Sequence, residues 1–198
     1  MKIGILAVDI ETSGSSILKH GIIAIGYCLG DNKGNVIIKK RIHVKLDTGK
    51  IFEKRCMETF WNKNLDKLEI LKQNAKEPKN AITEFINDID SFEDEYDLRI
   101  ITDNASFDIG FLNYYLELYL DRLPLSYKKD QKTYRPIYDT DSYARGVLLL
   151  KYDNEWIYDS MLIEKYNICV NIDHDHLPDN DAEYIYKLHI SLVNKNLV

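Results

Sequence analysis

Asp9 and Glu11 stand two positions apart, closing the apolar run 3–9. On a strand, side chains at i and i+2 share a face, so both carboxylates would point the same way. Two like charges held together repel unless a cation lies between them, and hard carboxylate oxygens suit Mg²⁺ or Mn²⁺. A second acid, Asp108, belongs to Asn104-Ala105-Ser106-Phe107-Asp108, directly after the apolar run 98–102. That spacing puts a carboxylate in the first turn of a helix at the same sheet edge; Asp103 lies beside it and competes for the role. The third group is His176-Leu177-Pro178-Asp179-Asn180-Asp181-Ala182. A loop histidine five residues before an aspartate that opens a helix can set a general base beside a metal ligand. His174 and Asp179 share that spacing. Taken singly, each group also has a plain structural reading: a solvated strand end, an acid complementing a helix dipole, and a polar loop with a capping aspartate.

The elements that must carry these groups follow from periodicity. Residues 3–9 and 98–102 are apolar and β-branched enough for buried strands. Residues 22–29 and 35–44 flank the turn-forming Gly30-Asp31-Asn32-Lys33-Gly34 and read as a hairpin. Apolar residues recur at helical spacing over 58–73 (Phe60, Trp61, Leu65, Leu68, Leu71) and over 80–89 (Ile82, Phe85, Ile86, Ile89). Residues 107–120 form a strong helix, with Ser106 or Asn104 as its cap. A polar, Tyr-rich loop is expected over 123–138, helix pieces over 142–150 and 160–166, and a final helix over 181–193. Strands first, then a strand alternating with helices, suit an α/β fold: a mixed sheet covered by helices.

The chain has 198 residues and reads as a single domain, 1–198. Hydrophobic residues make up 45% and charged residues 29%, which excludes a disordered or collagenous chain. With 26 Lys and Arg against 32 Asp and Glu, the net charge of −6 argues against bulk electrostatic coating of nucleic acid. It leaves open an enzyme that grips a few nucleotides through metal ions. The separated Cys28, Cys56 and Cys169 read as reduced thiols. No leader or span is expected, because the apolar start is cut by Asp9 and the stretch 21–30 is far short of the ~20 residues a bilayer needs. The expectation is an intracellular, cytoplasmic protein.

In order along the chain, Asp9-Ile10-Glu11-Thr12, Asn104-Ala105-x-Phe107-Asp108-x-x-Phe111-Leu112 and His176-x4-Asp181-Ala182 closely resemble the three exonuclease motifs of the DEDDh (DnaQ-like, RNase T-like) 3′→5′ exonucleases. The resemblance extends to Ile22-Ile23-Ala24-Ile25-Gly26 and to Asp139-Thr140, and so covers nearly the whole chain. It implies a ribonuclease H-like mixed five-stranded sheet flanked by helices. It also implies a two-metal phosphodiesterase releasing nucleoside 5′-monophosphates from single-stranded or frayed DNA or RNA 3′ ends. Carried over by position, the acidic quartet falls on Asp9, Glu11, Asp108 and Asp181, and the general base on His176. The Asp-Ala pair decides for Asp181 over Asp179, and hence for His176 over His174. Two departures are Asp103, where many members have His, and Pro178, where the third motif often has Ala.

The implied roles give Asp9 both Mg²⁺ or Mn²⁺ ions, Glu11 and Asp181 the ion that binds the attacking water, and Asp108 the other. Candidate substrate contacts are Thr12 and Ser13 through backbone N–H groups, Asn104, Phe107 against the terminal nucleotide, and Trp61 as a stacking surface, although a core position suits Trp61 better. Lys128, Lys129, Lys132 and Arg135 are candidate backbone contacts or simply a solvated loop. A homodimer is compatible with the resemblance, though no sequence feature marks one. The rival readings are a non-catalytic ribonuclease H-like module that binds nucleic acid or protein, and an endonuclease or nucleotidyl transferase of the same superfamily. Loss of a catalytic group would mark the first, and all five groups are present.

Overall fold

The β-branched runs become strands because their alternating side chains bury on both faces of a sheet. In a computed structural model, which describes residues 1–148, 168 and 170–195, the sheet holds β1 (Lys2–Thr12), β2 (Ile22–Asp31), β3 (Val36–His43), β4 (Tyr96–Thr102) and β5 (Ile137–Asp139). Their order is β3-β2-β1-β4-β5. β1, β2 and β3 pair antiparallel, while β1–β4 and β4–β5 are parallel, so the sheet is mixed as expected.

Helices cover the two faces unequally. Leu6, Val8 and Ile10 of β1 point to the face packed by α3 (Pro78–Phe92) and α4 (Ala105–Leu120), where Phe85, Ile89, Phe111 and Leu112 complete the main core. Ile5 and Ala7 point to the other face, against Ala182, Ile185 and Tyr186 of the last helix, α6 (Pro178–Lys195). α5 (Thr140–Val147) packs on α6 through Ala144, Tyr184 and Leu188. No described helix is long and apolar enough to cross a membrane.

One expected helix is broken. Residues 58–73 form α1 (Lys54–Thr59), a 3₁₀ turn (Trp61–Lys63) and α2 (Leu65–Lys72). Phe60 and Asn64 leave helical geometry at the joints (φ −126° at both). The break turns Trp61 fully inward while Leu65 is left exposed, a choice set by tertiary packing that periodicity does not encode. The expected helix piece at 160–166, the end of that at 142–150, and Cys169 lie outside the described residues.

Candidate active site

Strand alternation carries Asp9 and Glu11 to the α6 side of β1, in phase with Ile5 and Ala7. Opposite them on β2 lie Gly26 and Ala24. A Cβ on Gly26 would collide with the backbone of Pro178 and Asp179, so this glycine lets the first turn of α6 sit directly on the sheet. That seat brings Asp181 to the two β1 carboxylates, with Asp9, Glu11 and Asp181 ligand atoms within 4.8 Å of one another. From the other side, Asn104 caps α4 by accepting the Phe107 N–H, and Asp108 in the first turn accepts from the Thr102 hydroxyl. Asp9, Asp103 and Asp108 form a second set within 4.8 Å. Asp103 lies two residues past Ile101, the β4 partner of Ala7, and Asp9 two residues past Ala7, so the parallel pairing delivers both to the same sheet edge. Asp103 and Asp108, competitors for one role in the sequence, thus both reach Asp9.

The site is a buried concentration of negative charge. Burial raises the Asp9 carboxyl well above its ordinary range, and Asp108, Glu11, Asp103 and Asp181 raise it further. Burial likewise raises Glu11, with Asp181, Asp108 and Asp103 adding to it. Asp108 is raised by burial and by Asp103, against the Thr102 hydrogen bond. Asp181 is pushed up to about 6 by burial, with His174 and the backbone N–H of Asp175 pulling it back. A buried anion cluster with so little compensating charge fits divalent cations, and its all-oxygen donors suit hard ones.

His176 stands on the loop before α6 in a left-handed conformation (φ 61°), its ring edge-on to Phe60 at 4.8 Å. Burial and the neighbouring His174 lower its pKa, so the imidazole is neutral at pH 7 and able to accept a proton. His174 is the more exposed ring, and its Nε2 lies 3.6 Å from Asp181 Oδ2.

The expected substrate contacts divide. Phe107 is half-buried beside Asp108 and packs on Phe111 at 5.0 Å; Asn104 is exposed. Thr12 is buried, its hydroxyl donating to Gly14 O at 3.0 Å. The Ser13 N–H is already donated to Gly21 O at 2.9 Å, and its hydroxyl accepts from Gly21 N and donates to Ile51 O, so Ser13 braces the loop and presents no free donor. Trp61 is 0% exposed and closed to a stacking base; its indole N–H instead donates to Thr12 O at 3.0 Å, beside the bulge between Glu11 and Thr12. The basic loop is also turned away. Lys128 pairs with Asp97 at 3.0 Å, Lys129 with Asp94, and Arg135 is buried against Glu93 at 3.3 Å. Asp97 opens β4, about 20 Å of strand from Asp103.

No family model and no curated protein matches the sequence. Solved structures do match. The nuclease domain of 3′hExo, a DEDDh family member bound to rAMP, superposes with TM-score 0.69 and 13% identity over 98% of this chain and 93% of that one. S. pombe Pop2p in its Mg²⁺- and Mn²⁺-bound form gives TM-score 0.68 and 17% identity, over 98% of this chain and 84% of that one. Product-bound exonuclease I gives TM-score 0.65 and 15% identity over 94% of this chain; the match spans only 42% of exonuclease I. The five-stranded mixed sheet and its helices therefore have the ribonuclease H-like fold of these exonucleases.

Proposed function

We propose that this chain is a metal-dependent 3′→5′ exonuclease of the DEDDh type, acting on single-stranded or frayed DNA or RNA ends. The observation that carries the proposal is the convergence of Asp9, Glu11, Asp108 and Asp181 from β1, α4 and α6 onto one buried cluster, with His176 on the adjoining loop. The fold shared with exonucleases and the metal-bound form of Pop2p support it.

Asp9 belongs to both ligand sets, so Asp9, Glu11 and Asp181 would hold one divalent ion and Asp9 and Asp108 a second. Bound Mg²⁺ or Mn²⁺ would polarise the phosphate, lower the pKa of a water and stabilise the leaving oxyanion. His176 accepts the water's proton on its neutral imidazole. Phe107 offers an apolar face to the terminal nucleotide. Asn104, beside it at the mouth of the site, is the exposed polar group available to the sugar–phosphate.

The test is 5′-labelled single-stranded DNA and RNA of one sequence, incubated with Mg²⁺, Mn²⁺ or EDTA. A metal-dependent ladder descending by single nucleotides is expected, and its relative rate on the two polymers gives the preference. Internal cuts would replace the reading with an endonuclease. No cleavage, together with retained oligonucleotide binding, would make the chain a non-catalytic module.

A further inference from the structure

The loop before α6 carries a second ligand set, different in chemistry from the carboxylate cluster. His174, His176 and Asp181 offer two imidazole nitrogens and one carboxylate oxygen, all within 4.8 Å of one another. The His174 Nε2 to Asp181 Oδ2 separation of 3.6 Å is too long for a hydrogen bond. It is close to the edge of a tetrahedron around Zn²⁺, about 3.3 Å for bonds of about 2.0 Å. Each ligand is held by another contact. Asp181 Oδ1 accepts the Asp175 N–H at 2.9 Å, which leaves Oδ2 toward His174. His176 packs edge-on against Phe60 and His174 edge-on against Tyr184, at 4.8 and 5.6 Å. The Asp175 carboxylate ties the loop, accepting from Leu177 N at 3.1 Å and Asn180 Nδ2 at 3.0 Å. The His174 side chain is 36% exposed, which gives an ion a path from solvent.

We propose that His174, His176 and Asp181 form a site for Zn²⁺, and that its occupancy switches the active centre off. Two imidazoles and a carboxylate select a borderline transition-metal ion over Mg²⁺, and water completes the four-coordinate shell. Asp181 is common to this set and to the Asp9–Glu11 set, and His176 is the proton acceptor of the proposed hydrolysis. An ion here takes both from the reaction. Inhibition rests on the nuclease reading; binding of the ion does not.

The probes are Co²⁺ and Zn²⁺ alone, added to the full chain in millimolar Mg²⁺. One equivalent of Co²⁺ is expected to give the intense visible absorption of a four-coordinate nitrogen-ligated ion, unlike the weak absorption of octahedral oxygen coordination. Zn²⁺ abolishes that band and shifts the ¹⁵N imidazole resonances of His174 and His176, leaving His43 unmoved. His174→Gln loses the band. Its nuclease rate, taken relative to its own zinc-free rate, requires at least tenfold more Zn²⁺ for half-inhibition. The imidazole shifts in the unsubstituted protein keep the test valid if that variant folds poorly. A band that survives His174→Gln or is erased by Mg²⁺, or Zn²⁺ shifts absent from His174, overturns the site. A His174-dependent band on a chain without nuclease activity upholds the metal site and defeats the nuclease reading. Nuclease activity without the band does the reverse.

Discussion

His176 and the carboxylates occupy neighbouring places but answer to different physics. Burial and His174 lower the pKa of the imidazole, whose proposed work is to move a proton. The carboxylates are forced together by the backbone, and their proposed work is to hold positive charge. The two functions should therefore separate on substitution. His176→Ala is expected to lower turnover by about 10²–10⁴-fold, the usual share of a positioned base. Mn²⁺ affinity, followed by electron paramagnetic resonance, should stay within a few-fold, since the Asp9, Glu11 and Asp108 oxygens remain. Undiminished turnover in that variant would remove His176 from the mechanism. Spacing alone leaves His174 and His176 as alternatives, whereas the shared face of Asp9 and Glu11 is legible in the sequence, because strand period is local. Asp103 is not: it enters the cluster only through the register of two strands more than ninety residues apart.

At the scale of elements, the site depends on two seats beside the β1 carboxylates. Gly26 is the seat of α6: any side chain there meets the Pro178–Asp179 backbone, which cannot yield as a flexible side chain would. Gly26→Ala is expected to displace the start of α6, and with it Asp181 and the His176 loop. Mn²⁺ affinity should fall at least tenfold while β-sheet circular dichroism is retained. Trp61 is the other seat. Its indole N–H satisfies the Thr12 carbonyl beside the bulge that ends the β1–β2 register. Trp61→Phe keeps an aromatic ring but leaves that buried acceptor unpaired, at a cost of about 1–3 kcal/mol in urea unfolding. Because the bulge follows Glu11, kcat should fall more than KM rises. α3, α4 and α6 are readable from apolar periodicity and capping residues, and the hairpin from the turn-forming 30–34 between two strand-like runs. The division of 58–73 into three pieces is not, since what bends the chain is the burial of Trp61 against Ile23, Leu68 and Leu177. The inward turn of Arg135, paired with Glu93, is equally a product of tertiary packing.

For the molecule as a whole, the fold holds a charge cluster whose repulsion weakens it. The carboxyls of Asp9, Glu11, Asp108 and Asp181 are raised above the values they have in the unfolded chain, about 3.8 for the aspartates. Between those two values the folded state keeps protons that the unfolded state has released, so stability falls as pH rises. His20, His176 and His189 oppose this at lower pH: each is lowered from 6.5, so the unfolded chain holds the extra proton and stability rises with pH up to about that value. Asp97, lowered by hydrogen bonds from Arg99 and Lys128, adds stability that is lost only in stronger acid. Asp181, raised to about 6, lowers stability up to about that pH, and Asp9, Glu11 and Asp108 act in the same direction above the ordinary carboxyl range. In EDTA, the melting temperature should fall, relative to a chain lacking one of the cluster's charges, as pH rises above the ordinary carboxyl range. One retained proton contributes about 1.4 kcal/mol per pH unit, or roughly 3–5 °C for a chain of this size. Saturating Mg²⁺ should raise the melting temperature, and more at pH 8 than at pH 5, because in acid the ion must displace bound protons. Asp9→Asn removes the charge common to both ligand sets. It should flatten the EDTA profile and raise melting at pH 8.5, yet abolish the Mg²⁺ effect, so one substitution makes the fold more stable and the site useless. An EDTA profile for Asp9→Asn that merely parallels that of the unsubstituted protein would mean that the cluster does not strain the fold, and a Mg²⁺ effect that survives Asp9→Asn that it does not bind the ion.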